Sequence, residues 1–274
     1  TKGFGGNKPI EICYCHTPPR WLYGYNTSVN FQKYAIVRFY AYVVGHFLRL
    51  YDFKQAQKVD FFIANSREVA GRIKKFYRRD SKVIYPPVFL PKSPNIKRED
   101  YYFIVSRIVG GKGLDIAVEA AIKAGFKLKI AGSPAGYYFE HNELVKNAQG
   151  NVEFLGQVTD EELVKLYKGA KAFLALAKDE DFGITPVEAM LSGTPVIAFN
   201  GGGYKETVID PSTNSGQAPT GVLFNDYSKE GLILAIKTFE EMNIRSEDCI
   251  HQAEKFSKER FKKEITEYVK SKFR

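Results

Sequence analysis

A short segment rich in glycine and basic residues has the composition of an anion-binding loop. Positions 106–113 read Ser-Arg-Ile-Val-Gly-Gly-Lys-Gly, and a helical pattern follows. The guanidinium of Arg107 can form paired hydrogen bonds with phosphate oxygens, Lys112 supplies a point charge, and the glycines allow a ligand to approach the N–H groups of a helix start. The order matches neither a Walker A loop nor a Gly-x-Gly-x-x-Gly loop. Alone, the segment fits a surface turn as well as a phosphate site.

Two glutamates flank a predicted helix start. Glu180 and Glu188 are eight positions apart, and Pro186 between them is a residue type that favours a first helical turn. If the helix begins between Gly183 and Pro186, both carboxylates can accept hydrogen bonds from the hydroxyls of one ligand, close to the free N–H groups of the helix. The alternatives are a charge that only favours the helix dipole at Glu180 and a solvated side chain at Glu188.

Glycine-containing loops follow three other predicted strands. The segment Asn200 to Glu206 reads as a flexible glycine loop that leads into a short helix, although a plain turn has the same composition. Backbone groups after two further strands could read the edge of a base. The residues selected in these loops are Gly132, Leu155, Gly156, Gly202, Gly203 and Glu206.

Beyond residue 100, short β-rich segments alternate with segments that have apolar residues at helical spacing. The predicted strands are 101–107, 127–132, 151–156, 171–177, 194–199 and 221–224. Strands separated by helices predict parallel βαβ units and hence a doubly wound sheet. Such sheets bind ligands at the carboxyl ends of their strands, so the selected loops are expected to meet at one edge.

The first 88 residues have a different pattern, with strands predicted at 10–15, 60–66 and 82–88 and a basic, aromatic helical stretch from about 27 to 58. Pro86 and Pro87, followed by a polar segment, predict a hinge. We therefore expect an α/β fold with these parts: a partial N-terminal domain over 1–88, a Rossmann-like nucleotide-binding domain over 89–245, and a C-terminal helix over 246–274 that packs towards the N-terminal part.

Basic charge is concentrated in the first third. Residues 1–97 hold 17 Lys or Arg and 5 Asp or Glu, a balance of 17 − 5 = +12, whereas residues 98–274 hold 23 and 26, a balance of −3. This asymmetry favours an anionic partner such as nucleic acid, acidic lipid or a phosphorylated substrate, with solvated helix faces as the alternative. Nucleic acid is disfavoured because no reader motif accompanies the charge.

Cysteine usage and hydropathy predict the compartment. Cys13, Cys15 and Cys249 cannot form a disulfide framework, and the Cys-x-Cys-His sequence ending at His16 lacks a further close zinc ligand. The longest apolar stretch, 39–48, is too short to span a bilayer, and the first residues lack the apolar core of a signal peptide. We expect a cytoplasmic protein without a structural metal.

Together these segments resemble the retaining GT-B glycosyltransferases of the GT4 type. The resemblance is carried by SRxxxxKG at 106–113, by the two glutamates around Phe182-Gly183, by EAMLSGTPVIA from Glu188, and by GGxxE at 202–206. The stretch CYCHTP resembles mannosyltransferases of cell-surface polysaccharide assembly. Family members have further βα units before this region, so the resemblance implies that the first part of the N-terminal domain is missing, and a second chain that supplies it is one expected partner.

The resemblance implies transfer of a sugar, with retention of configuration, from a nucleoside-diphosphate sugar, with GDP-mannose favoured. Arg107 and Lys112 would bind the diphosphate, Glu188 the ribose, and Glu180 the donor sugar. His16 would contact the sugar or the reacting face, unless it is a strand-end histidine satisfied by local backbone. The implied donor-binding set is Ser106, Arg107, Lys112, Gly132, Leu155, Gly156, Phe182, Gly183, Ile184 and Glu188, and the implied acceptor loop is Gly202, Gly203 and Glu206.

No metal is required under this resemblance, since cations replace it. Asp179-Glu180-Asp181 matches the Asp-x-Asp metal signature of the GT-A glycosyltransferases, but the glutamate pair explains the segment. The acceptor is expected to be a saccharide or a lipid-linked sugar. The basic, aromatic stretch 20–58 favours peripheral contact with the inner face of the membrane, with core packing as the alternative. The alternative function is a non-catalytic nucleotide-sugar-binding domain.

Overall fold

The computed structural model describes residues 9–25, 35–91, 96–108, 111–133, 148, 150–213 and 216–273. The chain divides into two compact units. The first comprises residues 1–87 and 258–274, and the second comprises residues 88–257.

The first unit contains a three-stranded parallel sheet with the order β1-β2-β3, formed by Ile12–Cys15, Phe61–Ala64 and Ser81–Val83. Helix α1 covers Ala35–Ala56 and helix α2 covers Arg67–Tyr77. Ser66 caps α2, because its side-chain oxygen accepts a hydrogen bond from the N–H of Val69 at 3.0 Å. Apolar residues of β1, β2 and α2, among them the fully buried Phe62 and Tyr77, form the core of this unit.

The second unit contains a six-stranded sheet in which all pairings are parallel. Its strands are β4 (Tyr102–Val105), β5 (Leu128–Ala131), β6 (Val152–Gly156), β7 (Ala172–Ala175), β8 (Val196–Phe199) and β9 (Gly221–Phe224). Each lies within a segment predicted to be a strand. The predicted α/β fold, in which one complete doubly wound parallel sheet follows an N-terminal α/β part, is therefore confirmed, and the N-terminal part has a smaller sheet of its own.

Helices connect and cover these strands. They are α3 (Leu114–Ala124), α4 (Asp160–Gly169), α5 (Ile184–Leu191), α6 (Tyr204–Thr207), α7 (Lys229–Glu240) and α8 (Ser246–Glu254). Helix α4 begins with a capping box in which Thr159 and Glu162 exchange hydrogen bonds. All four residues of β7 are buried, as expected for a central strand of a parallel sheet with helices on both faces.

The strand order places a topological switch in the middle of the sheet. The order is β6-β5-β4-β7-β8-β9, so the chain runs outward from β4 to β6 and then returns to pair β7 with the other side of β4. The connections that leave β4 and β7 therefore diverge. In open α/β sheets the crevice formed by such a divergence, at the carboxyl ends of the strands, is the usual ligand site.

The C-terminal segment contains two helices where one was expected over 246–274. Helix α8 belongs to the second unit, whereas α9 (Lys258–Ser271) belongs to the first. The interruption has a local cause, since the carbonyl of Phe256 accepts from the N–H of Val88 at 2.9 Å and its buried ring lies against Phe182. Within the first unit, Phe261 of α9 contacts the ring of Tyr14 edge to face at 5.8 Å.

The stretch 20–58 is described only in part, because residues 26–34 lie outside the described residues. In the described part of α1, several large apolar side chains are exposed, with Tyr42, Phe47 and Tyr51 the most accessible. Within the described ranges, no helix combines the length and the apolar character needed to cross a membrane.

Candidate functional site

The loops after β4 and β7 meet through an ion pair. The Lys112 ammonium donates to Oε2 of Glu180 at 3.0 Å, and the two side chains retain 28% and 22% of their accessible surface. Lys112 precedes α3 and Glu180 precedes α5, so the pair joins the two connections that diverge at the topological switch. A basic and an acidic side chain, both partly accessible, thus lie where a parallel sheet of this kind binds ligands.

Close approach of these two loops depends on Gly113. Its φ is +70°, and a β-carbon at this position would lie 2.6 Å from Cβ of Leu176, the residue after β7. The Tyr227 hydroxyl donates to the carbonyl of the same leucine at 2.9 Å. Only glycine leaves room for this contact, so Gly113 sets the distance between the basic loop and the end of β7.

The glycines after β8 lie against the loop that carries Glu180. The N–H of Gly203 donates to the Glu180 carbonyl at 2.9 Å. A β-carbon on Gly202, whose φ is +52°, would overlap that carbonyl oxygen, and one on Gly203 would lie 2.6 Å from the carbonyl oxygen of Phe182. The segment expected to be a flexible loop therefore packs against residues 180–182, and its glycines make that packing possible. Glu206 follows on α6 and is half-buried.

Helix α5 begins at this same edge. Gly183 precedes it with a φ of +89°, and glycine has no side chain to cap the first N–H groups. Ile184 at the first helical position is 47% exposed, whereas Phe182 is buried against Phe256. The free N–H groups and the positive end of the helix dipole favour negative charge beside Glu180.

Glu188 lies on the second turn of α5, where its carboxylate contacts α4. The Tyr167 hydroxyl donates to Oε2 of Glu188 at 2.9 Å. Burial raises the pKa of Glu188 above its ordinary value, the hydrogen bond from Tyr167 lowers it, and the charge of Asp160 raises it again. The hydrogen bond from Tyr167 therefore opposes the protonation that the surroundings of this carboxylate favour.

The carboxyl ends of β4, β5 and β6 also adjoin. The N–H of Gly132 donates to the Gly156 carbonyl at 2.7 Å, and the N–H of Ser106 donates to the Ala131 carbonyl at 3.0 Å. With a φ of +132°, Gly132 comes so close to the Ser106 carbonyl that a β-carbon would overlap it. Leu155 is half-buried beside Gly156, and Arg107 is exposed. Together with the loops after β7 and β8, these residues form one continuous row along the sheet edge.

His16 lies in the first unit, at the carboxyl end of β1. Its ring is exposed and contacts that of Tyr14 edge to face at 5.3 Å. A contact between His16 and the donor sugar stays a prediction. No cluster of three or more His, Cys, Asp or Glu side chains with the geometry of a metal site occurs in the described part of the chain, and residues 109–110 of the basic loop lie outside that part.

Two tyrosines that contact the site were not selected from the sequence. Tyr167 holds Glu188, and Tyr227 binds the carbonyl after β7 while the Lys178 ammonium lies 5.3 Å from its ring centroid. A buried tyrosine hydroxyl almost always has a hydrogen-bond partner. The apolar stripe of α4 predicts that Tyr167 is buried and so signals a partner, but the sequence does not identify it.

Comparison with known proteins connects this site to a family. The family model described as "Glycosyl transferases group 1" matches residues 89–256, which span the six-stranded sheet. An uncharacterized glycosyltransferase of Methanocaldococcus jannaschii is 31% identical over 163 residues, covering 58% of this chain and 46% of that protein. The alpha-1,3/1,6-mannosyltransferase ALG2 of Mus musculus is 26% identical over 94% of this chain and 67% of that protein.

The glycogen synthase of Thermodesulfovibrio yellowstonii is 33% identical over 50% of this chain and 27% of its own length. The chain thus spans less than half the length of several curated relatives. Among solved structures, Anabaena Alr3699/HepE in complex with UDP and glucose superposes with a TM-score of 0.68, at 22% identity, over 81% of this chain and 66% of that one. This likeness shows a shared fold. Since the family model matches well over half of the sequence, the chain belongs to the glycosyl transferases group 1 family.

Proposed function

We propose that this protein transfers a sugar from a nucleoside-diphosphate sugar to a saccharide or lipid-linked acceptor, with retention of anomeric configuration. The observation that carries the proposal is the contact of Lys112 with Glu180 at the topological switch of the sheet. A cation able to bind phosphate and a carboxylate able to bind sugar hydroxyls are side by side there. Family membership supports the transferase chemistry.

The departing diphosphate requires positive charge. Lys112 supplies an ammonium, the exposed Arg107 supplies a guanidinium, and the start of α5 supplies N–H groups after Gly183. Donors already directed at the position where negative charge develops stabilise a transition state without reorganisation. No step assigned to these residues depends on a metal ion.

The rest of the donor is assigned along the same row of loops. Glu188 accepts from the ribose hydroxyls, and Glu180 from hydroxyls of the donor sugar. Backbone groups near Gly132, Leu155 and Gly156 bind the base. The loop with Gly202, Gly203 and Glu206 contributes on the acceptor side, and His16 is assigned a contact with the sugar or the reacting face.

GDP-mannose is the favoured donor. Its support is the resemblance of the CYCHTP stretch and the mouse relative, which is named as a mannosyltransferase at 26% identity. The solved structure of Anabaena Alr3699/HepE holds UDP and glucose, so UDP-glucose is the principal competing donor. Exposed apolar side chains on α1 support a lipid-linked acceptor, which vesicle flotation at low salt would test.

The test begins with a thermal-shift panel of GDP-mannose, UDP-glucose and ADP-glucose. A donor that binds only the folded state raises the melting temperature, and at one fixed concentration a tighter-binding donor raises it further. The positive donor is then incubated with saccharide and lipid-linked acceptors, and the anomeric configuration of the product is read by proton NMR. Inversion would contradict the retaining mechanism. Binding without turnover for every acceptor would favour a nucleotide-sugar-binding domain, and the absence of any shift would reject the proposal.

A further inference from the structure

Tyr167 is buried beneath the candidate site and has one polar contact through its hydroxyl. Its side chain has no accessible surface, and its ring packs edge to face against Phe103 and Phe173 at 5.4 Å each. Its own carbonyl accepts from the Thr194 hydroxyl at 2.6 Å. Ring and backbone are thus both fixed, so the hydroxyl has a defined direction.

That hydroxyl donates to one oxygen of Glu188 and leaves the other for a ligand. The distance to Oε2 is 2.9 Å, and within the described residues no second side-chain donor reaches this carboxylate. Helices α4 and α5 pack against each other, and this hydrogen bond connects them. A carboxylate oxygen held by a rigid donor has little rotational freedom, so its partner oxygen is presented in one geometry.

We infer that Tyr167 is a positioning residue for the donor: its hydroxyl holds Oε2 of Glu188 so that Oε1 accepts from the ribose diol. This inference rests on the proposed function, in which Glu188 binds the ribose. The inference assigns a role to Tyr167, which lies on α4 rather than α5 and touches no substrate. Its contribution is the orientation and the ionised state of the carboxylate.

The surroundings of Glu188 favour its protonated form, so keeping the carboxylate ionised requires an opposing interaction. Burial raises the pKa of Glu188, and the negative charge of Asp160 on α4 acts in the same direction. Of the described residues packed on α5 from α4, α6, α8, β7 and β8, Asp160 and Tyr167 are the titratable groups that act on this carboxyl. Among the described side chains, Tyr167 is the one whose hydrogen bond lowers this pKa and so opposes protonation. Burial raises the pKa of the Tyr167 hydroxyl well above its ordinary value, so it remains a neutral donor across the working pH range.

The experiment compares Tyr167→Phe with two matched controls. Tyr101→Phe removes a buried hydroxyl that donates to the carbonyl of Leu166 at 2.8 Å. Leu166 is the residue before Tyr167 on α4. Tyr102→Phe removes a buried hydroxyl that donates to a carboxylate oxygen of Glu240 at 3.0 Å, away from the switch. All three variants lose one hydrogen bond of similar burial, so a purely structural role would lower the melting temperature of all three alike.

The first measurement needs no ligand. Protein labelled with ¹³C at the glutamate carboxyl carbons is titrated by NMR, and the Glu188 signal is identified by its loss in Glu188→Gln. We expect the titration midpoint of Glu188 to move to higher pH in Tyr167→Phe and to stay unchanged in both controls. An unchanged midpoint in Tyr167→Phe would overturn the inference, whatever the enzyme binds.

The second measurement uses GDP and UDP as probes, followed by turnover with the donor identified above. Tyr167→Phe should weaken the binding of GDP or UDP. It should raise KM for the sugar donor about tenfold while kcat stays within about twofold. The acid limb of the kcat/KM profile should move to higher pH. Equal affinity of wild type and Tyr167→Phe for the bound nucleotide would overturn the inference and leave the proposed function intact. Failure of wild type to bind either nucleotide would reject the proposed function, and with it the ribose role inferred here.

Discussion

The Lys112 ammonium lies 3.0 Å from Oε2 of Glu180, although the two residues are 68 positions apart. Without a ligand, the carboxylate acts as the counter-ion of the lysine. A diphosphate would compete with Glu180 for this cation, so donor binding is expected to exchange one anionic partner for another. Two residues that we propose to bind the donor thus form an ion pair with each other when no donor is bound.

Lys112→Met should abolish the thermal shift caused by GDP or UDP. The charge that we propose binds the diphosphate is lost, whereas the stability of the free protein should change by less than about 1 kcal/mol, because partly exposed ion pairs contribute little. Lys123→Met is the matched control, since Lys123 pairs with Glu230 at 2.7 Å on an exposed surface of the same unit. A full shift retained in Lys112→Met would remove the phosphate assignment.

Glu180→Gln should separate binding from turnover. Removing the negative charge frees Lys112, so the affinity for GDP or UDP should rise roughly threefold, as expected when a competing screened charge is lost. Turnover with the sugar donor should fall by about 100-fold or more if Glu180 orients the sugar. Isothermal titration and initial rates measure the two effects. Weaker nucleotide binding together with unchanged turnover would contradict both expectations.

Gly202→Ala should destabilise the second unit. The residue has a φ of +52°, and the new β-carbon would overlap the Glu180 carbonyl oxygen. We expect a loss of about 2 kcal/mol in urea unfolding, the usual cost of strain combined with overpacking. Gly150→Ala is the control, because a β-carbon there meets nothing within 4 Å. Equal stabilities of the two variants would show that the loop after β8 adjusts freely.

Glu188→Gln should increase stability at neutral pH while weakening nucleotide binding. Burial raises the pKa of Glu188 in the folded state, so folding is favoured by the protonated form and this contribution is lost as pH rises through the folded-state pKa. A neutral amide avoids that loss, and its oxygen can still accept from Tyr167. Urea unfolding at pH 4 and pH 7 tests this expectation. The gain in the free energy of unfolding of Glu188→Gln over wild type should be larger at pH 7. A larger advantage at pH 4 would show that the carboxylate is not penalised by burial.

The sequence predicted individual elements better than their contacts. The helical pattern predicted after residue 113 is α3, and the predicted strand 171–177 contains β7 with its ends trimmed. Such patterns are local. The pairing of β4 with β7 instead depends on which strands exclude water together, a property of the whole sheet that no single segment encodes.

The same distinction applies to the site. Glycines and charged residues at strand ends identified the loops, because parallel topology gathers those ends at one edge. The partner of Glu188 was not predicted, since Tyr167 is 21 positions away and its side chain reads as core. Gly202 was interpreted as a flexible position, whereas its packing against Glu180 depends on a neighbouring loop that follows a different strand. The spacing of residues in the sequence therefore could not predict contacts between segments that are far apart in the chain.

The first unit is assembled from two separate segments, residues 1–87 and 258–274. Arg260 of α9 donates to the Tyr85 carbonyl at 2.7 Å, and Phe261 contacts Tyr14, so α9 packs against β1 and against the segment that follows β3. A premature stop codon before Lys258 would spare the contiguous residues 88–257. The truncation would instead remove the helix that packs on β1 and beside β3, so these strands, roughly two hundred positions earlier in the sequence, would become accessible to proteases.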